Sequence, residues 1–599
     1  MGFADRYLQK HATGNPLILS APNPGLHSII AIPAYNESGL TNCLDSLFSC
    51  VLPDAPSEVI VLVNSGEQTP HEIIALNRNT YRDILNWCAS RQRPGLTFHT
   101  ILLENLPGKH FGAGLARKLV MDEAVRRFNQ VDHAAGIILS LDGDTLVDQD
   151  YLAEVTGLFD RTHAMDGCSV RFAHPLDPPA VPEDQKNKED QEDQQDHGIL
   201  NDLEVQKIQE AQDVQKTRQE QEDQKVQEAQ DVQKTRKEQE VQKIQEAQDV
   251  QKTRQEQEDQ KVQEAQDVPK DHEVHPAAVY DAIVNYELHQ RYYLEAVRYT
   301  GYPHAYHTVG SAFAVRAGAY CRQGGMSKRQ AGEDFYFIQK VAMQGNFSEC
   351  NTTTVHPSPR PSDRVPFGTG PAIARQLETP GEPFLTYAPL LFQHLHDFYA
   401  LIPGFFATGP PAGNARQSTP AETARQKPQS DTAEENTTIA GRPAQHNFQA
   451  GLGQREFYEA IQAMLAPLSP LLQDYLEKTG FLPALTEIHC NVASEPSFRQ
   501  RFYRKFNMFW ILKYLHFAVE QGVNKEEVGE AARELLEMKK KQMNRNAAQG
   551  SSESNTARKL LEMKGGKVAA DADREGLPGE TPRELLAIYR KVQAVPSKK

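Results

Sequence analysis

Residues 137–145 read IILSLDGDT, an apolar run that stops at two aspartates flanking one glycine. Asp142 and Asp144 are hard oxygen donors of the kind Mg²⁺ and Mn²⁺ take, and Gly143 keeps the turn between them compact. An acidic turn closing a strand would look the same in isolation, because Asp and Gly are ordinary turn residues. Three further clusters carry groups able to do chemistry: PAYNE (33–37), GAGLAR (112–117), and GGM followed by GED (324–334). The paired Glu333 and Asp334, at a loop-to-helix boundary, either complement a helix dipole or supply a base to a hydroxyl nucleophile. In VHPSPRPSDR (355–364), Arg360 and Arg364 offer planar donors suited to phosphate oxygens. His356 in the same segment is a metal ligand or a structural histidine. Asn64 can hydrogen-bond a base edge through its amide, and Lys109 and Arg117 can approach a phosphate or base, or lie on a solvated helix face.

The elements that must position these groups alternate. HSIIAIPAYNE, EVIVLVNSG, LTFHTILLEN and AGIILSLDGDT read as strands, and TNCLDSLFSCV and GAGLARKLVMDEAVRRF between them as helices. Strands separated by helices imply right-handed crossovers and a mainly parallel sheet. YNE, NSG and DGD then all fall at carboxyl ends of strands, where such sheets bind ligands, and this favours the site over the plain turn.

Residues 183–274 have a different composition, almost entirely Glu, Gln, Asp, Lys and Arg, with EAQDV recurring at 210, 228, 246 and 264. The 18-residue period equals about five helical turns, but its narrow Ala/Val/Ile stripe is too sparse for a packed coiled coil. The segment reads as a solvated helical or disordered insert without a catalytic role, or as a partner-binding arm. Residues 407–450 are rich in Pro, Thr, Ala and Gly and read as a linker, with helical periodicity resuming over 451–545. Aromatics there, such as Phe502, Tyr503, Phe509, Trp510 and Tyr514, form a helical core or cover an acceptor. ARELLEMK, ARKLLEMK and PRELLAIY recur at intervals of 25 residues, suggesting short, marginal helices in the tail.

With 80 acidic against 64 basic side chains in 599 residues, the net charge of −16 speaks against wholesale binding of nucleic acid. Seven cysteines without close pairing fit a reducing cytoplasm rather than a disulfide scaffold or zinc site. No basic region followed by an apolar run opens the chain, and Arg6 stands where a myristoylation signal has Ser or Thr. The stretches 387–406 and 506–519 are interrupted by polar residues, so the expected location is cytoplasmic, with contact peripheral to an inner membrane left open.

In order and spacing, the four clusters resemble glycosyltransferase family 2, the inverting nucleotide-sugar transferases with the GT-A fold. The match covers roughly residues 26–185 and 277–372. The runs HTVGSAFAVRAGAY, GGMSKRQAGEDFYFIQK and PSPRPSDRVPFGTG look like a bacterial subgroup of that family with an unidentified acceptor. The resemblance implies an α/β fold: a GT-A core (Rossmann-like, mainly parallel sheet) over 1–372, interrupted by the 183–274 insert. A mostly α-helical extension over 373–545 and a tail over 546–599 follow. It implies that Asp144 binds Mn²⁺ or Mg²⁺, with Asp142 on the ribose or on the metal through water, and that His356 is a third ligand. Asp334 would be the general base and Glu333 a contact to acceptor hydroxyls. Pro33, Ala34, Tyr35 and Glu37 would surround the nucleoside. The acidic residue usual after the second strand is replaced by Asn64 in VNSG, which weakens any base assignment. The implied donor is a UDP-sugar by family frequency, and the acceptor a saccharide or glycoconjugate. Two rival readings are a partner-binding scaffold on a vestigial core and a nucleotidyltransferase. PAYNESG lacks the Gly-rich phosphate loop expected of the latter.

Overall fold

A computed structural model describes residues 2–177, 276–362, 364–366, 368–409, 453–548 and 580–594. These all fall in one compact unit, which spans 1–178 and 276–599 and runs through position 372 without a break. The EAQDV repeats, residues 410–452 and ARKLLEMK lie outside the described residues.

The first part alternates as its hydrophobic pattern predicts. In order come α1 (Asp5–His11), β1 (Ser28–Ala34), α2 (Leu40–Phe48), β2 (Ser57–Gly66), α3 (His71–Ser90) and β3 (Leu96–Leu106). A 3-10 turn (Gly108–His110) leads to α4 (Ala113–Gln130), β4 (Ile137–Ser140), β5 (Leu146–Val147), α5 (Tyr151–Arg161) and β6 (Gly167–Phe172). From residue 276 follow α6 (Pro276–Tyr299), β7 (Phe313–Arg316), α7 (Ala317–Arg322), α8 (Glu333–Ala342), β8 (Phe347–His356) and α9 (Thr369–Glu378).

The eight strands form one sheet in the order β3-β2-β1-β4-β7-β6-β8-β5. Pairings β3/β2, β2/β1, β1/β4 and β6/β8 are parallel. Those of β4/β7, β7/β6 and β8/β5 are antiparallel. Both faces are covered, which is why β1, β2 and β4 read as unbroken apolar runs rather than alternating ones. Ile30, Ile32, Val59 and Val61 pack on the side of α2, α3 and α5. Ile29, Ala31, Ile60 and Leu62 pack on the side of α1, α4 and α8. This is the α/β class expected from the sequence, with β7 and β5 adding an antiparallel component.

The remainder is helical apart from the short pair β9 (Leu385–Thr386) and β10 (Glu526–Glu527). Between and after these lie α10 (Pro389–Ala400), α11 (Ile402–Ala407), α12 (Gln454–Leu465), α13 (Pro470–Lys478), α14 (Phe481–Cys490), α15 (Glu495–Lys505), α16 (Met508–Glu520), α17 (Val528–Ala548) and α18 (Pro582–Ala594). With α6 they enclose a third apolar core.

One expectation needs correction here: α18 is not marginal. Leu585, Leu586 and Tyr589 are fully buried, and the Tyr589 hydroxyl donates to the Ala532 carbonyl at 3.0 Å. Arg590 donates to Glu287 of α6 at 2.7 and 2.6 Å, and Gln593 accepts from Arg291 at 2.7 Å. Tertiary burial supplies what a 13-residue helix lacks alone. No helix among the described residues is long and apolar enough to cross a membrane.

Candidate active site

The DGD segment is both a turn and a presented pair of carboxylates. The Thr145 amide donates to the Asp142 carbonyl at 3.1 Å, closing a β-turn whose two acidic side chains remain partly exposed. A Cβ on Gly143 would lie 3.0 Å from Leu40 and 3.4 Å from Glu37, so glycine lets this turn sit against the loop after β1. Parallel pairing of β4 with β1 and of β1 with β2 sets DGD, PAYNE and NSG side by side at one edge of the sheet.

Arg117 organises the second half of the site. It is 5% exposed, and its Nη1 donates to Asp142 at 2.9 Å, Ser140 Oγ at 3.0 Å and the Gly310 carbonyl at 3.1 Å. Its Nε donates to Glu333 at 3.0 Å. Burial opposes its charge, but Asp142, Glu333 and Asp334 outweigh it and hold the guanidinium firmly protonated. Of the two sequence alternatives, phosphate contact or a solvated face, Arg117 takes neither. It bridges the DGD turn to the first turn of α8, a task suited to a planar fork of donors. The local glycines permit this. Gly114 packs so closely on the 327–330 loop that a Cβ would lie 2.1 Å from the Arg329 carbonyl. A Cβ on Gly310 would meet Arg117 at 2.6 Å and Asp334 Oδ2 at 3.0 Å.

Gly332 enters α8 at φ 71°, a left-handed conformation that favours glycine, and Glu333 and Asp334 then diverge. Glu333 is 3% exposed, with its carboxylate accepting from Arg117. Asp334 is half-buried, and its Oδ1 accepts from the Phe335 amide at 2.7 Å. Burial first, and then Glu333, push the Asp334 carboxyl up to about 7, with Arg117 pulling the other way. That lies in the range a general base needs near neutrality.

Around the first-strand loop, Glu37 is buried and paired with both Arg360 and Arg364. Asp144 faces the same two arginines at 3.3 and 3.6 Å, and Arg364 also donates to the Tyr35 carbonyl at 2.9 Å. Burial, then the neighbouring Asp142, hold the Asp144 carboxyl above its usual range, and the arginines oppose this. Tyr35 meets Phe111 edge-on at 5.5 Å, and Phe111 in turn fills the space a side chain on Gly66 would need. Pro33 and Ala34 end β1 beside this wall. Lys109 is exposed on the 3-10 turn.

Two expected contacts are placed differently. Asn64 is 2% exposed and spends its amide on the Ala34 carbonyl at 2.8 Å, while Asn77 donates to the Asn64 carbonyl at 2.9 Å. It shapes the β1 loop instead of reaching a base edge. His356 lies across from Leu146 in the β5/β8 pair, with Nε2 at 2.8 Å from Asp148 and Nδ1 at 3.1 Å from the Ala173 carbonyl. To ligate a metal it would have to leave Asp148.

No group of three or more metal-ligating side chains exists among the described residues. Asp142 and Asp144 nevertheless fit an ion such as Mg²⁺, which takes one or two carboxylates and completes its shell with phosphate oxygens and water. Ser140, Gly310 and Phe111 join or abut the site without having stood out as site residues in the sequence.

Fold and site together define an α/β protein with a cluster of carboxylates and arginines at the strand ends. No family model matches the chain, and no curated protein does. Among solved structures, the chain is similar to S. aureus TarS in complex with UDP (20% identity, TM-score 0.18) over 26% of this chain and 38% of that one. TarS in complex with UDP-GlcNAc gives 21% identity and TM-score 0.18 over 26% and 37%. The chain thus spans well under half of either.

Proposed function

We propose that this chain is a metal-dependent inverting glycosyltransferase that moves a sugar from a nucleotide-diphosphate sugar, with UDP-sugar the first donor to test, to a saccharide or glycoconjugate acceptor. The observation that carries the reading is the coupling of two carboxylate pairs, Asp142/Asp144 and Glu333/Asp334, through buried Arg117 at the strand ends. Bound Mg²⁺ or Mn²⁺, held by Asp144 and Asp142, would supply Lewis-acid stabilisation of the diphosphate leaving group. Asp334 accepts the proton of the acceptor hydroxyl as its oxygen bonds to the anomeric carbon and the bond to diphosphate breaks. Arg117 keeps Asp334 ionisable near neutrality by opposing Glu333. Arg360 and Arg364 turn from Glu37 and Asp144 onto the diphosphate when donor binds. Tyr35 and Phe111 flank the nucleoside.

The base must be deprotonated, so turnover should rise with pH through about 7, the value to which Asp334 is pushed. The direct test screens nucleotide sugars by thermal shift and donor hydrolysis, with Mn²⁺, Mg²⁺ or chelator, for the native chain, Asp144→Ala and Asp334→Ala. Stabilisation by one nucleotide sugar only with metal is expected. Asp144→Ala should lose it, whereas Asp334→Ala should keep binding and lose turnover. If no nucleotide or metal shifts the native chain, the reading fails.

A further inference from the structure

The Phe509 ring of the helical extension touches the first turn of α8. Phe509 stacks on Tyr336, with centroids 4.5 Å apart and planes at 17°, and meets Phe335 edge-on at 4.8 Å. Its own backbone is pinned: the Asn507 side chain caps α16 by accepting from the Phe509 amide at 3.0 Å and the Trp510 amide at 3.3 Å. Trp510 in turn is sunk in the helical core, stacked on Phe398 at 5.3 Å. On the near side, the Arg329 guanidinium lies 3.7 Å over the Tyr336 ring. The loop that carries Arg329 rests on Gly114, one turn before Arg117. Phe335, gripped by Phe509, is the residue whose amide donates to Asp334 Oδ1. A chain of contacts therefore runs from the extension's core through Phe509 to the carboxylate.

We propose that Phe509 is a positioning residue for Asp334, so that the helical extension sets the orientation and solvent access of the base. The inference rests on the reading of Asp334 as the base. Offset stacked and edge-to-face rings prefer defined geometries, so this contact fixes the first turn of α8 in a way a flexible aliphatic contact would not. The charged and titratable groups facing Asp334 are Glu333 on its own helix, Arg117 from α4, Asp142 after β4 and Tyr286 from α6. None of these comes from the extension, whose contribution is shape and the exclusion of water.

The test uses the full chain and the donor found in the hydrolysis screen. Phe509→Ala should lower kcat roughly 10- to 100-fold, the scale expected for a slightly misplaced catalytic group. Donor KM and the nucleotide-induced thermal shift should stay within about twofold, because the donor half of the site is untouched. The acidic limb of the pH profile should move to lower pH as water reaches Asp334. Phe509→Tyr should restore both, and Phe509→Leu, which keeps core volume, should show the same loss if Phe509→Ala fails to fold. In an Asp334→Asn background, Phe509→Ala should have no further effect on turnover. A folded Phe509→Leu with native kcat and an unmoved acidic limb overturns the inference alone. So does an equal fold-loss in both backgrounds. A native chain that neither binds nor hydrolyses any nucleotide sugar overturns the functional reading and this inference with it.

Discussion

Replacing Arg117 by Met tests the electrostatic design of the site. Glu333 is 3% exposed and faces the Arg117 guanidinium at 3.0 Å, with Asp142 on the same guanidinium at 2.9 Å. Without that cation an ionised Glu333 is a buried uncompensated charge, and truncating one partner of a buried pair costs about 3–5 kcal/mol. The pH dependence follows from Asp334, whose raised carboxyl Arg117 now draws down. Losing the cation raises that carboxyl further, and a carboxyl whose folded pKa is raised favours the folded state below its unfolded pKa and loses that advantage as pH rises. The gap between native and Arg117→Met should therefore widen with pH. Urea unfolding of both proteins at about pH 7 and about pH 5 reads the gap directly. A loss below about 1 kcal/mol at about pH 7, or a loss of equal size at both pH values, would refute the claim that Arg117 compensates buried charge.

Gly310→Ala should displace the Arg117 guanidinium, which its Cβ would approach to 2.6 Å, and lower donor turnover roughly 10- to 100-fold; native turnover would remove Gly310 from the site. Arg590→Ala should destabilise the whole unit by about 1–3 kcal/mol, because Glu287 keeps Arg291 and His174 but loses a charged partner. Loss confined to α18, with α6 protected as before in hydrogen exchange, would contradict this. Deleting 183–274 should leave donor hydrolysis within about twofold, as expected if that segment has no catalytic role. A fall beyond tenfold would argue for a direct part in catalysis.

The sequence by itself determined the alternation of strands and helices, the α/β class, and the strand-end location of YNE, NSG and DGD. Those features are local: a run such as EVIVLV must be buried on both faces, and an Asp-Gly-Asp cannot continue it. Glu333 and Asp334 were legible as a pair, again from adjacency. Their division of labour was not. Which carboxylate accepts from Arg117 and which from the Phe335 amide depends on how α8 packs against α4 and the loop that ends at Gly310, across separations of up to 216 residues. For the same reason Arg117 read as a phosphate or base contact or a helix-surface cation, Asn64 as a base contact and α18 as a marginal helix. Each takes its role from partners distant in the chain: Asp142 and Glu333, the Ala34 carbonyl, and Glu287 with Arg291. Whether a polar side chain is free to meet a ligand is settled by which of its atoms are already engaged, and only packing in three dimensions engages them.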